Sequence, residues 1–504
     1  MEINKENFPL WTFKRGNNER INEFFSNMAH FGRHYDAGEK NRLTNDWRTQ
    51  YGSPSQNFKQ SWRDIIARSV DSFDNNPNTQ ALKNTLLNNV IGSGMRPIAR
   101  VRDGNNKLIE GINKQLDEGW KRYNETWDAG KRMDQQSSQA VRFHEILRTG
   151  TVMTHPVLTR RKDSYLALQN QVFNVLRLDS GHDSMTPDFN MPEVETTVFG
   201  INLDKYGAAV SYWLEGAKDP IRELMFSFKQ DVAEQYIGTP PLIAALKFLW
   251  FNETLTMDKV VASRIQSMIN IFVPNATANS LTYKNQNADN ETEITQGKYL
   301  SGKVGEEPKI IQADDSIKDV LIPLQKLLMH AITMTMGVSY QSVTRDLEKV
   351  NMASGRINTN EDRKSYRALQ NFVIKKINAP DWNIFVRQMF IEGKIAGKTI
   401  LDYEKDPYKY SQHAWLPNGF DLIDPAKESL AAIELINNNM LTLEEWYGDR
   451  GQDYKDKLQQ RAKEQNEMKE LGLVIEEVVK EQSKNDLAKT RYEDDIIEGM
   501  NNGY

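Results

Sequence analysis

The chain has 504 residues and an almost balanced charge, with 64 Lys and Arg against 69 Asp and Glu and a formal net charge of -5. This length allows roughly two to four domains with real cores. The charge balance excludes the bulk basic surface that drives non-specific nucleic-acid binding, so any contact with DNA must be local or weak. The absence of Cys excludes disulfides, thiolate nucleophiles and the usual structural zinc sites.

No targeting or membrane-spanning segment is predicted. The N-terminal sequence MEINKENFPLW lacks the apolar core of a signal peptide. No window approaches the roughly eighteen uninterrupted apolar residues that a membrane span needs. We therefore expect a soluble protein that assembles inside the cell and makes no contact with a membrane.

The first half of the chain is predicted to form an α+β region. Residues 1–60 are polar and rich in turn signals, which indicates an arm. Apolar residues recur at helical spacing from residue 62 to residue 90, with a break at Pro77. Further on, helical segments alternate with β-rich ones. The helical segments are 108–129 and 137–148, and the β-rich segments are 152–158, 165–178, 198–203 and 208–214.

Residues 240–272 contain no Gly and are predicted to form one long helix. At 1.5 Å of rise per residue this helix would reach roughly 45 to 50 Å, far longer than an ordinary globular domain needs. A polar segment rich in Asn and Gly follows, either a functional tip or a disordered insertion. A second helical segment begins at Asp314. The pattern predicts a long helical hairpin that packs against something large, such as copies of itself.

Each arm of this hairpin carries a stripe of apolar residues at helical spacing. The stripe residues are Trp250, Met257, Val261, Ile265, Met268 and Phe272 on the first arm and Leu321, Leu324, Leu328 and Ile332 on the second. Periodicity leaves open whether the stripes form a two-helix core within one subunit or contact other subunits. Pro323 is expected either to kink the second arm or to lie in its first turn.

The last part of the chain is predicted to be mainly helical. Residues 361–393 have helical spacing with an interruption at Pro380, and a turn-rich aromatic link covers 398–425. A helix is predicted over 425–437, and Thr442 with Glu445 forms a capping box that begins another. The chain then ends in an acidic tail.

No segment provides a convincing catalytic or metal site. The sequence GKIAGKT at 393–399 resembles a phosphate-binding loop, but it is one residue too short between its glycines and follows a predicted helix. His30 and His34 could share a helix face, yet no third ligand is apparent. Paired acids such as Asp314 and Asp315 are more typical of helix caps than of Mg²⁺ sites. We therefore expect no enzymatic activity and no cofactor or metal.

Several short blocks of sequence follow one another in a recognisable order. NNP at 75–77 precedes VIGSGMRP at 90–97, and GTPPL occupies 238–242. MGVSY at 336–340 precedes DLEKVNMASGR at 346–356, and WLP at 415–417 precedes DPAKE at 424–428. In this order and at these separations, the blocks resemble the lambda-type portal proteins of tailed bacteriophages over most of the chain.

Three positions depart from the family's pattern. Ser339 stands where the family prefers Pro, Met352 and Ala353 stand where it has Tyr and Ser, and Thr151 stands where an acidic residue is common. None of these departures removes a catalytic group, because the family has none. They leave the geometry of the inner loop open.

The resemblance implies a portal fold of the α+β class that closes into a ring, usually of about twelve identical copies. It implies the following regions: an N-terminal arm (1–60), an α/β wing (61–238), a first stem helix (239–273), a small α/β clip (274–313), a second stem helix (314–337), a tunnel loop (338–360), the long helix and return of the wing (361–424) and a helical crown with an acidic tail (425–504).

The function implied by the resemblance is the passage of double-stranded DNA into and out of a capsid at one vertex. The predicted contacts are Arg345, Lys349, Asn351 and Arg356 in the tunnel loop. Nearby acids balance much of this charge, which suits a pore because firm phosphate contacts would stall translocation. The alternative is an ordinary surface loop whose cations pair with neighbouring acids.

The resemblance also implies partners and a location. The partners are other copies of the chain, terminase, a head-tail adaptor, and the major capsid and scaffolding proteins. The location is the portal vertex of the virion, after assembly in the host cytoplasm. Two alternatives remain open: another ring-forming head-neck protein, and a metal-dependent DNA-processing enzyme of the packaging machinery.

Overall fold

The computed structural model describes residues 52–159, 161–184, 191–268, 272–274, 300–302, 321–348 and 350–473. The chain divides into two compact units, Met1–Ser53 and Pro54–Tyr504. All helices and strands given below belong to the second unit. Most of the predicted arm, most of the predicted clip and the acidic tail from residue 474 onward lie outside the described residues.

Three helices open the second unit: α1 (Pro54–Lys59), α2 (Trp62–Asn75) and α3 (Pro77–Leu86). The side chain of Asn76 accepts a hydrogen bond from Asn78 N at 3.0 Å, and Pro77 begins α3. The predicted helix break at Pro77 is therefore confirmed. A π-helical segment, Leu87–Ile91, follows α3 and ends at Gly92, whose φ of 57° suits glycine.

The strands lie mostly in the first half of the chain and form small antiparallel sheets. In chain order the elements are β1 (Arg96–Ala99), α4 (Glu110–Glu125), α5 (Gln135–Thr149), β2 (Thr151–Leu158), β3 (Leu168–Asn174), β4 (Thr196–Val198), β5 (Ile201–Leu203), β6 (Ala209–Tyr212) and β7 (Met225–Phe228). One sheet has the order β3-β2-β7 and another β4-β5-β6. Each predicted β-rich segment contains a strand, so the α+β prediction is confirmed.

The middle of the chain contains the predicted hairpin. Its elements are α6 (Leu246–Met268), β8 (Phe272–Pro274), β9 (Leu300–Gly302), α7 (Ile322–Thr335), α8 (Tyr340–Thr344), α9 (Met352–Val373) and α10 (Ala379–Ile391). Strands β8 and β9 pair in parallel. Pro323 lies in the first turn of α7, which is one of the two predicted positions.

The first arm of the hairpin is shorter than predicted. Helix α6 begins at Leu246, whereas residues 241–245 form turns. These residues make turn bonds, with Ile243 N donating to Pro240 O at 2.9 Å and Ala245 N donating to Leu242 O at 2.8 Å. The 23 residues of α6 span about 34 Å at 1.5 Å per residue, less than the predicted 45 to 50 Å.

The remaining elements are α11 (Ile400–Lys405), α12 (Pro407–Tyr410), β10 (His413–Leu416), α13 (Pro425–Asn437), α14 (Leu443–Gly448) and α15 (Tyr454–Glu470). The predicted helix over 425–437 is confirmed as α13. Thr442 N donates to Glu445 Oε2 at 2.9 Å, and Glu445 N donates to Thr442 Oγ1 at 3.2 Å, so the predicted capping box is confirmed. A π-helical segment, Ile374–Asn378, joins α9 to α10 immediately before Pro380.

The main hydrophobic core brings the N-terminal helices together with α9 and α10. The ring of Trp120 on α4 packs edge-on against Phe385 on α10, with ring centroids 5.0 Å apart, and edge-on against Trp415 on β10 at 5.8 Å. A buried ion pair crosses the same core: Arg142 Nη2 lies 2.7 Å from Asp381 Oδ2. Residues before and after the hairpin therefore share one core.

Candidate functional site

The hairpin helices α6 and α7 are anchored in the main core at one end. Leu249 of α6 and Ile332 of α7 are both buried in that core. Farther along, Gln325 Nε2 donates a hydrogen bond to Thr256 Oγ1 at 2.8 Å. Because the start of α6 and the end of α7 meet at the core, the two helices run antiparallel.

The predicted apolar stripes are only partly buried within one chain. Ile332 is buried and Leu328 is half-buried. By contrast, 61% of the Trp250 side chain, 61% of Met257 and 51% of Val261 remain exposed, and Leu324 is 39% exposed. The side chains of Ile265, Met268 and Phe272 lie outside the described part of the structure. The packing of one subunit therefore accounts for only part of each stripe.

More apolar side chains are exposed on these helices than the stripes contain. The additional residues are Phe248, Phe251 and Val260 on α6 and Ile322, Leu327 and Met334 on α7. Single exposed apolar residues are normal on protein surfaces, whereas this many on two helices that pack together indicate an interaction surface. We call the exposed apolar residues of α6 and α7 the stem face.

The segment after α7 is more helical than predicted. Helix α8 and the first turns of α9 lie within the predicted tunnel loop, so the described non-helical residues between them are 345–348 and 350–351. Asn351 Oδ1 accepts a hydrogen bond from Ser354 N at 2.8 Å and thereby begins α9 early. Residues 352–360 are therefore helical, and the assignment of 338–360 to the tunnel loop stays a prediction.

The four predicted DNA-contact residues have different surroundings. Arg345 is exposed at the end of α8, and within the described residues no carboxylate forms an ion pair with it. Arg356 lies on α9, with its Nη2 atom 3.5 Å from Glu428 Oε1 of α13. Asn351 caps α9, and Lys349 lies outside the described residues. Both described arginines are exposed, but among the described residues Arg356 pairs with an acid and Arg345 does not.

The short loop between α8 and α9 is bonded to α7 through Asp346. Lys326 Nζ lies 2.7 Å from Asp346 Oδ2, and donation by this ammonium group lowers the pKa of Asp346. The Tyr340 hydroxyl also donates to Asp346 Oδ2 at 3.3 Å, and the Tyr340 ring stacks on His330 with centroids 4.4 Å apart. A movement of α7 would therefore carry this loop with it.

Asp362 holds the start of α8 against α9. Ser339 N donates to Asp362 Oδ1 at 2.7 Å, Ser339 Oγ donates to Asp362 Oδ2 at 2.7 Å, and Ser342 Oγ donates to the same oxygen. Burial, with a smaller contribution from the Asp362 charge, raises the pKa of the neighbouring Tyr366 to about 12. Ser339, which departs from the family's Pro, therefore supplies two hydrogen bonds to a buried carboxylate.

A second departure also has a structural role. Gly238 N donates to Thr151 Oγ1 at 2.9 Å, so Thr151 supplies an acceptor where the family often has a carboxylate. The backbones are in close contact here, since a Cβ atom on Gly238 would lie 2.0 Å from Gly150 O. This contact fixes the chain just before α6. Met352 is exposed at the start of α9, so the third departure costs no core contact there.

Two of the resembling sequence blocks meet in space. Strands β1 and β10 pair antiparallel, with Pro97 opposite Trp415. Gln370 of α9 donates to Val90 O at 3.3 Å and to Asn418 O at 2.9 Å, and so joins both blocks to the long helix. Sequence analysis missed Gln370, Asp362 and the Arg142–Asp381 pair, because isolated polar residues in helical segments carry no motif.

The phosphate-loop-like segment at 393–399 has no strand before it, because it follows helix α10. Within the described residues, no group of three or more His, Asp or Glu side chains is arranged to hold a metal ion. No helix in the described part of the chain combines the length and apolar character needed to cross a membrane.

Comparison with known families gives a match over more than half of the chain. The model of the family described as "Phage portal protein, lambda family" matches residues 40–370. This chain belongs to that family. Its membership confirms the resemblance that the sequence blocks indicated.

Curated relatives of this family match a shorter segment. A 151-residue segment is 26% identical to the "Probable portal protein" of Halomonas phage phiHAP-1, and an alignment of the same length is 22% identical to "Portal protein B" of Escherichia phage lambda. Each alignment covers 30% of this chain and 28% of the relative. The chain thus matches less than a third of the length of these relatives.

Solved structures with similarity to this chain come from gene transfer agent (GTA) particles. A chain of the "Virion of native gene transfer agent (GTA) particle" is 11% identical, with a TM-score of 0.38, 79% of this chain covered and 93% of that chain. A chain of the "Neck of native GTA particle computed with C12 symmetry" is 12% identical, with a TM-score of 0.38 and coverage of 74% and 89%. The family assignment rests on the family model and not on these distant similarities.

Proposed function

We propose that copies of this chain close into a portal ring at one capsid vertex, and that double-stranded DNA passes through the ring during packaging and ejection. The observation that carries the proposal is the stem face, which one subunit leaves exposed in a chain of the portal family. In a ring, neighbouring subunits would cover this face. The alternative of a two-helix core within one subunit accounts for Leu249, Met329 and Ile332 but not for the exposed residues.

The proposal assigns a role to each region of the chain. Helices α6 and α7 are the stem, the segment between them contains the clip, and α13 to α15 belong to the crown. Residues 61–238 and 361–424 form the wing, whose two parts share the main core. Residues 1–60 are the arm. We expect about twelve copies in the ring, as in the family generally.

DNA contact is proposed at the short loop, with Arg345 as the principal cation. Its exposed position after α8 suits a contact with phosphate, and phosphate contacts do not depend on base sequence. Lys349 is a second candidate. Arg356 and Asn351 are weaker candidates. Arg356 already forms an ion pair with Glu428, and the Asn351 side chain already caps α9.

The proposed partners follow from the family. Terminase and later a head-tail adaptor would dock at the clip, and the major capsid and scaffolding proteins would surround the ring during assembly in the host cytoplasm. The mature location would be the portal vertex of the virion. A different head-neck ring remains the second candidate, and the stem face alone is compatible with it.

A packaging assay separates these possibilities. Capsids assembled with the chain should protect packaged DNA from nuclease, whereas capsids assembled without it should remain empty. Filling that is independent of the chain would contradict the portal function. A ring that assembles only after DNA has been packaged would instead identify a head-neck protein.

The same assay tests Arg345. We expect Arg345→Glu to form rings and capsids normally but to package DNA several-fold less, because the reversed charge repels phosphate. Lys205→Glu, on an exposed turn between β5 and β6, is the matched charge reversal and should package like the parent. Equal packaging by both variants would remove Arg345 from the DNA path.

A further inference from the structure

A groove of about 590 Å³ lies between α2 and the start of α6. Its apolar lining includes Ile65, Ile243, Leu246 and Trp250, and its charged lining consists of Arg68, Asp71, Lys247 and Glu253. Trp250 is largely exposed although it lines the groove. Trp250 also belongs to the stem face, so the groove continues the surface that we assign to contacts between subunits.

The register of the hairpin shows which residue of α7 lies level with this groove. Gln325 bonds to Thr256, and Leu249 and Ile332 belong to the same core, so positions along the two antiparallel helices can be matched. In this register Met334 lies level with Lys247, near the start of the groove-lining part of α6. Met334 is 74% exposed, although Ile332 and Thr333, which precede it in the same helix, are buried.

We propose that Met334 of one copy enters the α2–α6 groove of the adjacent copy. The inference rests on the proposed ring and takes α6 and α7 to run roughly along its symmetry axis. Rotation about that axis preserves height, so Met334 of one subunit arrives at the level of its neighbour's groove. Such a contact is heterologous, joining two different patches, as ring closure requires. The flexible Met side chain suits a groove with a mixed apolar and charged lining.

Cysteine cross-linking tests the contact directly, because the natural chain contains no Cys. In the double variant Arg68→Cys/Met334→Cys, a short bismaleimide should link neighbouring copies and give a ladder of covalent oligomers on denaturing gels. Arg68 lies on α2, across the groove from α6. The control pairs Arg68→Cys with Leu158→Cys, whose parent side chain is 73% exposed at the end of β2, and should give no ladder.

A second variant tests the energetic role of the contact. We expect Met334→Asp to remain folded, because the side chain is exposed in one subunit, and to shift assembly to at least tenfold higher protein concentration. Leu158→Asp is the matched substitution and should leave assembly unchanged. Both measurements use mass photometry.

The outcomes separate this contact from the ring itself. Intact rings that show no ladder from the double variant, together with normal assembly of Met334→Asp, would overturn the groove contact and leave the portal proposal standing. A parent protein that forms no rings would overturn both. A ladder with the Met334 pair and none with the Leu158 pair would establish the contact.

Discussion

At the scale of single residues, a few polar side chains hold the segments around the site in place. Asp362 fixes the start of α8, Thr151 fixes the chain before α6, and Gln370 joins two distant blocks to α9. Each acts through hydrogen bonds in a partly or fully buried setting. Loss of such a bond is destabilising, because the buried group that remains has neither water nor another protein group to bond to.

Ser339→Ala tests the bonds to Asp362. The substitution removes the hydroxyl that donates to Asp362 Oδ2 at 2.7 Å and that caps α8. We expect the free energy of unfolding to fall by about 1 to 2 kcal/mol, measured by urea denaturation. Ser137→Ala, at an exposed position on α5, should change it by less than about 0.5 kcal/mol. Equal effects of the two substitutions would contradict the role of Ser339.

Asp117 on α4 gives a prediction about pH. Burial raises the pKa of Asp117 to about 6, against a weaker lowering by the hydrogen bond from Ala99 N, and Asp453 at the start of α15 adds repulsion. Since the folded state holds this proton more tightly than the unfolded state, ionisation of Asp117 destabilises the fold as pH rises from about 4 to about 6.

We therefore expect Asp117→Asn to be more stable than the parent at pH 8, with a difference that shrinks at pH 5. The amide oxygen of Asn can still accept the bond from Ala99 N. Thermal unfolding of both proteins at the two pH values measures the difference. A stability difference that grows on acidification would show that the sign of the pKa shift is wrong.

At the scale of elements, the sequence predicted the ends of helices best where a cap or a proline marks the end. Asn76 with Pro77 marked one boundary, and the Thr442–Glu445 capping box marked another. The start of α6 was misplaced because apolar periodicity continues through the two prolines. The helical start of α9 at residue 352 was missed because Asn351 was not recognised as a cap.

The exposed apolar residues of α6 lead to a prediction about assembly. We expect Met257→Asp to leave the unfolding of the isolated subunit nearly unchanged, since the parent side chain is largely exposed, but to prevent ring formation. Lys205→Asp, on the exposed turn between β5 and β6, is the control and should still assemble. Mass photometry reports the subunit count of each. Rings formed by Met257→Asp would exclude Met257 from the subunit interface.

At the scale of the whole molecule, the order of the sequence blocks predicted the family, and local periodicity predicted the hairpin. The site could be predicted only in outline. Arg356 stays a predicted DNA contact. Its ion pair with Glu428 joins residues far apart in the sequence, and no local pattern reveals such a partner. The stripe on α6 and α7 was recognised, but its exposure depends on how the helices pack in three dimensions.

Closure of the chain into a ring through the stem face can be observed by electron microscopy of the purified protein, with mass photometry on the same sample. We predict rings of about a dozen copies around an open axial channel. A stable monomer or dimer across a range of salt and protein concentrations would contradict ring closure.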